Sequence, residues 1–435
     1  MKLLNPLNSK QCLKGQIEIP PDKSIAQRSV ILAALAEGIT HIQNFPQAGD
    51  PQSTLKAIEN LGIKIEANSQ NKELMVHGGL QNLKEPTDIL FLGNSGTGFR
   101  LILGMLAGLR SFGFASLTGD SSLRSRPMGR VVEPLKSLGA KIYGRANATK
   151  APLSVIGNQL KGGSISLKVA SAQLKSALLL ACLNASEPLL LDEPAPSRNH
   201  TEIMLKAFGA DIEQVNNLSV KLKPSQLKAT TINIPGDISG AAFLLVAGCL
   251  VPNSEIKIMN IGLNPSRTGI LKVLTSMGAH LQIEQTSSAG EPIGNITVKT
   301  SSLKGIEIGD SLIPNIIDEL PILALAAAMA KGKTIIKNAE ELRVKESDRL
   351  KAMSQVLTNL GVQVEETIDG LIIEGLNHKP FQPKSNIFSA NHDHRIAMTI
   401  KIASLLCTQP IKLEGAEWAN ISFPQFFELI DNLTL

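Results

Sequence analysis

The chain has 435 residues, too many for one ordinary hydrophobic core, so its length predicts two domains. It is 43% hydrophobic and 19% charged, which is typical of a soluble globular protein and excludes a disordered or fibrous one. The net charge of +5 suits small anionic ligands, whereas one Trp and one Tyr offer little surface for stacking nucleic-acid bases.

The start of the chain, "MKLLNPLNSKQCLKGQ", lacks a sustained apolar region, so we predict no signal peptide. The strongest apolar run, "LPILALAAAMA" at 320–330, is too short to cross a bilayer. Four cysteines are scattered without a CxxC pair, which argues against a disulfide framework or structural zinc. A cytoplasmic protein without membrane association is therefore expected.

Two distant stretches share one pattern: "IEIPPDKS" at 17–24 and "INIPGDIS" at 232–239. Each predicts a strand, a turn and the start of an apolar helix. Similar Ala/Leu-rich helices begin near residues 24, 95, 171, 239, 318 and 393, at intervals of 68 to 79 residues. A steady period of this kind indicates internal repeats.

A second series of helices is amphipathic, and each of these helices is closed by a glycine. The glycines are Gly62, Gly139, Gly209, Gly278 and Gly361. Glycine at this place predicts a left-handed helix C-cap. Short runs such as "ISLKV", "GNITVKT" and "GLIIEG" predict strands between the helices, so each repeat has two helices and three or four strands.

Three repeats in each domain would gather three buried helices at the centre, because the first helix of each repeat is apolar nearly all round. The two similar strands then act as crossovers between equivalent domains. We predict an N-terminal-type domain over 19–235 and a C-terminal-type domain made of 1–18 plus 236–435.

Cations recur about one turn into four of the six apolar helices, at Arg28, Arg100, Lys175 and Arg395. The other two repeats have Phe243 and Ile322 at this position, so the fold itself does not require a cation. A cation in the first turn opposes the helix dipole at a cost of about 0.3–1 kcal/mol, unless an anion binds there. Exposure to solvent or pairing with carboxylates is the alternative for any single one. Four in register favour several anionic groups bound between the domains.

Further basic clusters also favour the binding of anionic groups. The stretch "GDSSLRSRPMGR" at 119–130 predicts a loop that carries Arg124, Arg126 and Arg130. In "PSRNHTE", Ser197 and Arg198 precede an amphipathic helix, and the alternative is a capped helix start with Glu202.

Periodicity alone interprets "EELRVKESDRL" at 340–350 as a solvated helical face with i,i+4 charge pairs. Asp318 begins an apolar helix and is either its N-cap or a catalytic base. The glycine-rich "LGNSGTG" at 92–98 is a generic phosphate nest, and "NHDHR" at 391–395 is a weak metal motif. These residues predict a two-domain repeat protein that binds a polyanionic small molecule, and they leave its reaction open.

Nine stretches together resemble the 5-enolpyruvylshikimate-3-phosphate synthase family over essentially the whole chain. They are "DKSIAQR", "LGNSGTGFR", "LTGDSSLRSRPMGR", "SAQLKSALL", "SRNHTE", "IPGDISGAAF", "RVKESDRL", "DHRIAM" and "SFPQFFE". Among them, "RPMGR" and "SAQLK" resemble the subgroup called class II.

The resemblance implies an α/β (α+β) fold of two similar domains, each with three βαβαββ-type repeats around buried parallel helices, an inside-out α/β barrel. The active site would lie in the cleft between the domains. The implied reaction transfers enolpyruvyl from phosphoenolpyruvate to the 5-hydroxyl of shikimate 3-phosphate and releases phosphate. No metal or organic cofactor is implied.

The resemblance also assigns site residues. Shikimate 3-phosphate would be bound by Lys23, Ser24, Arg28, Ser171, Gln173, Ser197, Arg198, Asp318 and Lys345. Phosphoenolpyruvate would be bound by Lys23, Asn94, Gly96, Arg124, Arg126, Gln173, Arg349 and Arg395. Asp318 would accept the hydroxyl proton, and Glu346, with Lys23, would move the proton at the methylene carbon.

Three other functions are alternatives to enolpyruvyl transfer to shikimate 3-phosphate. The sister transferase acting on UDP-N-acetylglucosamine usually has a reactive Cys in the loop corresponding to 119–128, and this stretch has none. A nucleic-acid-binding repeat scaffold would spread its cations with interleaved aromatics. A non-catalytic phosphate sensor would not need Asp318, Glu346 and Lys23 together. We expect a monomer that acts on small molecules, with no nucleic acid and no membrane partner.

Overall fold

A computed structural model describes residues 1–47, 49–68, 70, 72–287, 290–309 and 312–435. The chain forms two compact units. The N-unit is Pro21–Pro235, and the C-unit joins Met1–Pro20 to Gly236–Leu435. The expected boundaries were at 18–19 and 235–236.

The α-helices of the described residues include buried apolar helices and amphipathic ones. They are α1 (Lys23–Leu35), α2 (Gly49–Asn60), α3 (Gly96–Ala107), α4 (Ser121–Ser125), α5 (Gly129–Ser137), α6 (Arg145–Ala148), α7 (Ala172–Ala181), α8 (His200–Ala207), α9 (Ile238–Leu250), α10 (Gly269–Ser276), α11 (Ile313–Ile316), α12 (Leu320–Met329), α13 (Arg349–Asn359), α14 (His394–Ser404) and α15 (Phe426–Asn432).

The strands are short and lie between the helices. They are β1 (Lys2–Leu4), β2 (Lys14–Glu18), β3 (Gly38–Gln43), β4 (Lys64–Asn68), β5 (Glu73–Gly78), β6 (Leu90–Phe91), β7 (Phe114–Thr118), β8 (Lys141–Gly144), β9 (Leu153–Ile156), β10 (Gly163–Ser166), β11 (Leu189–Asp192), β12 (Ile212–Asn216), β13 (Ser219–Leu222), β14 (Thr231–Asn233), β15 (Glu255–Gly262), β16 (His280–Ser287), β17 (Ile293–Lys299), β18 (Glu307–Ile308), β19 (Lys333–Ile336), β20 (Gln363–Glu366), β21 (Leu371–Glu374), β22 (Ile387–Ser389) and β23 (Ile411–Glu414).

The N-unit repeats one mixed sheet three times, with the strand orders β14-β3-β5-β4, β6-β7-β9-β8 and β10-β11-β13-β12. In each sheet the first two strands are parallel and the others antiparallel. A parallel pair needs a crossover connection, and a buried helix provides it in the second and third sheets.

The C-unit has two sheets of the same kind, β2-β15-β17-β16 and β18-β19-β21-β20. Its third sheet is β22-β23-β1, in which β1 from the start of the chain supplies the antiparallel strand. The predicted mixed α/β repeat fold is confirmed.

The two similar stretches of sequence explain the crossovers. Ile17 in β2 pairs with Ile258 of the C-unit, although the helix that follows it, α1, belongs to the N-unit. Ile232 in β14 pairs with Ile42 of the N-unit, although α9 belongs to the C-unit. Each strand is thus the first strand of a sheet in one unit and leads into a helix of the other.

Each unit has a separate hydrophobic core. In the N-unit, α1 and α7 each contact α3, and every residue of α1 from Ile25 to Leu35 is buried. In the C-unit, α9, α12 and α14 contact one another, and all of α12 is buried. Since these helices are apolar nearly all round, burial on every side is the stable arrangement for them.

The glycine caps adopt the predicted conformation. Gly62, Gly139, Gly209, Gly278 and Gly361 have φ between 84° and 101°. This region is strained for other residues, which explains why glycine closes each amphipathic helix. Within the described residues, no helix combines the length and apolar character needed to span a membrane.

Candidate active site

The first helix of the N-unit begins with a strong cap. Asp22 Oδ1 accepts hydrogen bonds from the backbone N–H groups of Ser24 and Ile25, at 2.7 and 2.9 Å. Lys23 follows directly, and its Nζ lies 3.3 Å from Asp50 Oδ2. The cap orients the first turn of α1, so Lys23 and Ser24 lie at a helix N-terminus that favours anions.

Arg28 is buried one turn further along, and three groups hold its guanidinium. Nε donates to Thr201 Oγ1 at 2.7 Å, and Nη2 donates to Ser176 Oγ at 2.9 Å. Nη1 donates to the Ser24 carbonyl at 3.0 Å. Hydroxyl and carbonyl oxygens accept these three bonds, and they fix the orientation of the guanidinium.

The second helix start carries two more guanidiniums. Ser95 caps α3, accepting from the Gly98 N–H at 3.0 Å and donating to Gln27 of α1 at 2.8 Å. A Cβ at Gly96 would lie 3.0 Å from Nη1 of both Arg100 and Arg126. The absence of a side chain at Gly96 therefore lets both cations reach the start of the helix.

Asn94 orients this part of the site. Its Oδ1 accepts a short hydrogen bond from Arg126 Nη2, while its Nδ2 donates to Asp120 Oδ2 at 2.9 Å. Asp120 also caps a short helix, α4, because its Oδ1 accepts from Leu123 N. The expected loop over 119–130 thus contains α4 and the start of α5, and Arg124 and Arg130 on it are exposed.

The electrostatics of this cluster favour an anion. Burial, together with the positive charges of Arg126 and Arg130, lowers the pKa of Arg100 to about 10. Like charges are held together there at an energetic cost, which a bound anion would relieve.

The third helix start shows one prediction that was wrong. Lys175 Nζ pairs with Glu193 at 2.6 Å and with Glu202 at 2.7 Å, and all three side chains are nearly buried. Lys175 is therefore neutralised by carboxylates, the alternative considered for a single cation. Gln173 accepts from Arg100 Nη1 at 2.6 Å and donates to Thr97 at 3.0 Å, and Ser171 caps the helix.

Residues 196–202 do not form the capped helix start that was the alternative interpretation of this stretch. The cap residue of α8 is Asn199, whose side chain makes no capping bond. Ser197 Oγ instead donates a short hydrogen bond to Glu193 Oε1. Glu202 pairs with Lys175 rather than with the backbone of the helix start, and Arg198 is half-buried.

In the C-unit, Asp318 is not a helix cap. The cap position of α12 is Glu319, which makes no side-chain cap bond and instead accepts a short hydrogen bond from Ser239. Asp318 precedes it, and its two carboxylate oxygens lie 3.5 Å from Arg349 Nη1 and 4.0 Å from Arg395 Nη2. Its carboxylate is partly exposed beside two cations, which suits a base that meets a substrate.

Arg349 corrects the interpretation of 340–350 as a solvated helical face. Residues 340–344 form a 3-10 helix, and Arg349 begins α13 with 1% of its surface exposed. Its Nε donates to Asp393 Oδ2 at 2.8 Å, and its Nη2 donates to Glu346 Oε2 at 2.8 Å. Three carboxylates surround Arg349, because Asp318 also lies beside it.

Asp393 is the main residue that the sequence interpretation missed. It is fully buried, caps α14 by accepting from Arg395 N, and accepts from Ser347 at 3.1 Å. Burial raises the pKa of Asp393, but the positive charges of Arg349 and His394 outweigh burial and leave it below its ordinary value. Its place before a helix, equivalent to Asp22 and Asp237, was the signal that could have found it.

Two buried nitrogen atoms of this cluster carry N–H groups that can still donate hydrogen bonds. Arg349 Nη1 and Arg395 Nε make no hydrogen bond with any described residue. Asp318 Oδ1 lies 3.5 Å from Arg349 Nη1 without a hydrogen bond between them, so an anion that accepts from both nitrogens would be stabilised. Lys345 lies near them in sequence, half-buried, with its Nζ 3.2 Å from Glu341.

The predicted residues fall into two sets, one in each unit. The N-unit set comprises Lys23, Ser24, Arg28, Asn94, Gly96, Arg126, Ser171, Gln173, Ser197 and Arg198, and the side chain of Arg124 lies exposed on α4 with no hydrogen bond or ion pair to these described residues. The C-unit set comprises Asp318, Lys345, Glu346, Arg349 and Arg395. No group of three or more His, Cys, Asp or Glu side chains that could hold a metal occurs among the residues described.

Comparisons with known proteins agree with this chemistry. A family model described as EPSP synthase (3-phosphoshikimate 1-carboxyvinyltransferase) matches residues 7–430. The 3-phosphoshikimate 1-carboxyvinyltransferase of Thermoanaerobacter sp. (strain X514) is 46% identical, covering 98% of this chain and 99% of the relative. That of Bacillus subtilis (strain 168) is 47% identical, covering 98% of each.

Solved structures give the same result. An EPSP synthase structure from Acinetobacter baumannii superposes with a TM-score of 0.89 at 40% identity, covering 99% of this chain and 97% of that one. Similarity of sequence and fold over nearly the whole length places this chain in the EPSP synthase (3-phosphoshikimate 1-carboxyvinyltransferase) family.

Proposed function

We propose that this chain transfers the enolpyruvyl group of phosphoenolpyruvate to the 5-hydroxyl of shikimate 3-phosphate. The observation that carries the proposal is the C-unit cluster, in which the Asp318 carboxylate lies beside two buried arginines. It provides a base for a hydroxyl and cations for anionic groups in one place.

The reaction proceeds by addition and elimination. The 5-hydroxyl oxygen bonds to C2 of phosphoenolpyruvate, its proton passes to Asp318, and C3 receives a proton to become a methyl group. The C2–O bond to phosphate then breaks as the methyl group loses a proton, which regenerates the double bond in the product. General acid–base catalysis of this kind contributes about 10²–10⁴-fold to a rate.

The phosphorylated ring is assigned chiefly to the N-unit. Lys23, Ser24 and Arg28 lie in the first two turns of α1, and their N–H and O–H groups are donors suited to phosphate oxygens. Ser171 and Gln173 at α7 and Ser197 and Arg198 before α8 extend this surface. Asp318 and Lys345 of the C-unit would complete binding at the hydroxyl side.

Phosphoenolpyruvate carries a phosphate and a carboxylate, and we assign it to two groups of cations. In the N-unit these are Lys23 and Arg126, with Gly96 N–H, Asn94, Gln173 and Arg124 beside them. In the C-unit they are Arg349 and Arg395. The buried Nη1 of Arg349 and Nε of Arg395 can each donate a further hydrogen bond to an anion. Preorganised donors that face developing charge supply the largest stabilisation in such reactions.

Proton transfer at C3 is assigned to Glu346 together with Lys23. Glu346 is exposed and lies 2.8 Å from Arg349 Nη2, so it is next to the group assigned to phosphoenolpyruvate. Lys23, with Asp50 beside it, has the ammonium protons to act as an acid. We also propose that the chain acts as a cytoplasmic monomer on these small molecules, independently of nucleic acid and membranes.

The test is release of inorganic phosphate from phosphoenolpyruvate in the presence of shikimate 3-phosphate. We expect release that depends on both substrates and that falls at least 100-fold in Asp318→Asn, since the amide cannot accept the proton. Asp211→Asn, in an exposed ion pair of the N-unit, is the control and should retain activity. Release only with UDP-N-acetylglucosamine would transfer the assignment to the sister reaction.

A further inference from the structure

A buried trio of charged side chains lies beneath the turn that carries Ser197 and Arg198. The trio is Lys175, Glu193 and Glu202, whose side chains are 5%, 5% and 10% exposed. Lys175 Nζ lies 2.6 Å from Glu193 Oε2 and 2.7 Å from Glu202 Oε1. Buried charges are costly, and one cation faces two carboxylates here, so stability alone is a weak explanation for the trio.

The trio fixes both ends of the Ser197–Arg198 turn. Glu193 follows β11 and precedes the turn, while Glu202 lies in the first turn of α8 just after it. Glu193 Oε1 also accepts a hydrogen bond from the Ser197 hydroxyl. Because both glutamates bind the same ammonium group, Lys175 sets the distance between the two ends of the turn.

The hydrogen-bond capacity of Ser197 defines its role. A serine hydroxyl has one proton to donate, and in this structure that proton goes to Glu193. Glu193 therefore fixes the orientation of Ser197, which lies directly before Arg198 in the turn. Arg198 has five N–H donors and is the group of this turn suited to hold one.

The same trio adjoins the groups that hold Arg28. Ser176 follows Lys175 on α7, and Thr201 precedes Glu202 on α8. These two hydroxyls lie 2.6 Å apart, and both accept from the Arg28 guanidinium. Fixing α7 against α8 therefore also orients Arg28.

We propose that Lys175, Glu193 and Glu202 are positioning residues for recognition of the phosphorylated substrate. They orient Arg198 through the Ser197 turn and Arg28 through the Ser176–Thr201 pair, and they do not touch the substrate themselves. The inference rests on the proposed assignment of Arg28 and Arg198 to shikimate 3-phosphate.

The first test is Glu193→Gln, which keeps the size of the side chain. An amide cannot accept from Ser197 and from Lys175 at the same time, because one of its two ends is a donor. We expect KM for shikimate 3-phosphate to rise about tenfold, while KM for phosphoenolpyruvate and kcat change less than about twofold. Calorimetric titration of shikimate 3-phosphate alone should show the same loss of affinity.

An unchanged or lower KM for shikimate 3-phosphate in Glu193→Gln would overturn the proposal. Ser197→Ala combined with Glu193→Gln should cost no more than the larger single effect, because both changes break one link. Additive effects would equally overturn it.

Lys175→Met probes the cation, and thermal unfolding of the variant is measured alongside because two buried glutamates lose their partner. A folded variant with KM raised for shikimate 3-phosphate alone supports positioning. A lower Tm with both KM values unchanged assigns the trio to stability and overturns the proposal.

Two further variants complete the design. Lys223→Ala breaks an exposed ion pair with Asp211 in the same unit and should leave both KM values unchanged. Arg198→Ala tests the underlying assignment and should raise KM for shikimate 3-phosphate about tenfold or more. No effect of Arg198→Ala would reject that assignment and the inference with it, whereas an effect of Arg198→Ala without one of Glu193→Gln would reject the inference alone.

Discussion

Asp393 has two roles that a single substitution can separate. It caps α14 and also faces the buried Arg349 guanidinium at 2.8 Å. Asparagine caps a helix as well as aspartate does, but it carries no charge. Asp393→Asn therefore keeps the helix start but removes the ion pair with Arg349 and the acceptor of the Ser347 hydroxyl.

We expect Asp393→Asn to lower the free energy of unfolding at neutral pH by about 3 kcal/mol, because it leaves Arg349 with less compensation in a buried place. Its KM for phosphoenolpyruvate should rise as Arg349 moves. Urea unfolding and steady-state kinetics measure the two effects. An unchanged free energy of unfolding would mean that Glu346 and Asp318 alone compensate the buried charge of Arg349.

The same variant has a pH signature. The pKa of Asp393 is lowered in the folded state, so its contribution to stability is present above the unfolded value of about 3.9 and is lost as pH falls through the folded value. The difference in stability between the native chain and Asp393→Asn should therefore shrink below about pH 4. A difference that stays constant down to pH 2 would contradict the assigned ion pair.

Gly96 is the second residue whose role follows from one contact. A Cβ there would lie 3.0 Å from Nη1 of Arg100 and of Arg126, and both guanidiniums would have to shift. We expect Gly96→Ala to raise KM for phosphoenolpyruvate about tenfold, while helix stability stays equal or improves by up to about 1 kcal/mol.

The control for Gly96→Ala is Gly240→Ala, a glycine in the first turn of α9 in the C-unit. A Cβ at Gly240 meets its nearest atom, in Phe423, at 3.5 Å, which is ordinary contact. Kinetic constants of this control should be unchanged. Equal KM values for phosphoenolpyruvate in Gly96→Ala and the native chain would show that the guanidiniums accommodate the methyl group.

At the scale of secondary-structure elements, the helix caps Asp237 and Asp348 differ in how deeply the arginine that each one faces is buried. Asp237 caps α9 and also faces Arg267, whose side chain is 4% exposed, at 3.0 Å. Asp348 caps α13 and faces Arg343, which is 28% exposed and also pairs with Glu366. Both carboxylates can be changed to asparagine without loss of the cap.

We expect Asp237→Asn to destabilise the chain by about 3 kcal/mol and Asp348→Asn by less than about 1 kcal/mol, because the first removes a negative charge that faces a buried arginine and the second one that faces a partly exposed arginine. Thermal or urea unfolding of both variants measures the contrast. Equal losses would mean that burial of the arginine is not what decides the cost.

For the whole molecule, the crossover strands tie the start of the chain to the C-unit. β2 is the parallel partner of β15, and β1 is the antiparallel partner of β23. A chain that begins at residue 21 keeps every strand of the N-unit but leaves two C-unit sheets with exposed edges.

We expect this truncated chain to unfold its C-unit at lower urea concentration than the full chain. Amide hydrogen exchange should quicken in β15 and β23, whereas β3 of the N-unit, paired with β14 and β5, serves as the internal control. Native protection of β15 in the truncated chain would contradict the assignment of residues 1–20 to the C-unit.

The sequence by itself determined what depends on neighbours along the chain. The repeat period, the helix starts, the glycine caps and the apolar central helices follow from local backbone rules, and the structure confirms them. The motif residues also identified the reaction, since their order and types resemble one family over the whole length. Interactions between positions a few residues apart leave periodic patterns that can be recognised without a structure.

Only the tertiary structure decided what each cation faces. The prediction that four cations share one helix position is wrong for Arg395, which is only the second residue of α14. The other three lie in the first six residues of their helices, yet Arg28 meets hydroxyls from Ser176 and Thr201, Arg100 meets Gln173, and Lys175 meets two glutamates. Arg28 and Thr201 are separated by 173 positions, and Arg349 and Asp393 by 44. Partners so distant along the chain are set by how helices pack, and this packing decides whether a buried charge is neutralised or remains able to bind a substrate.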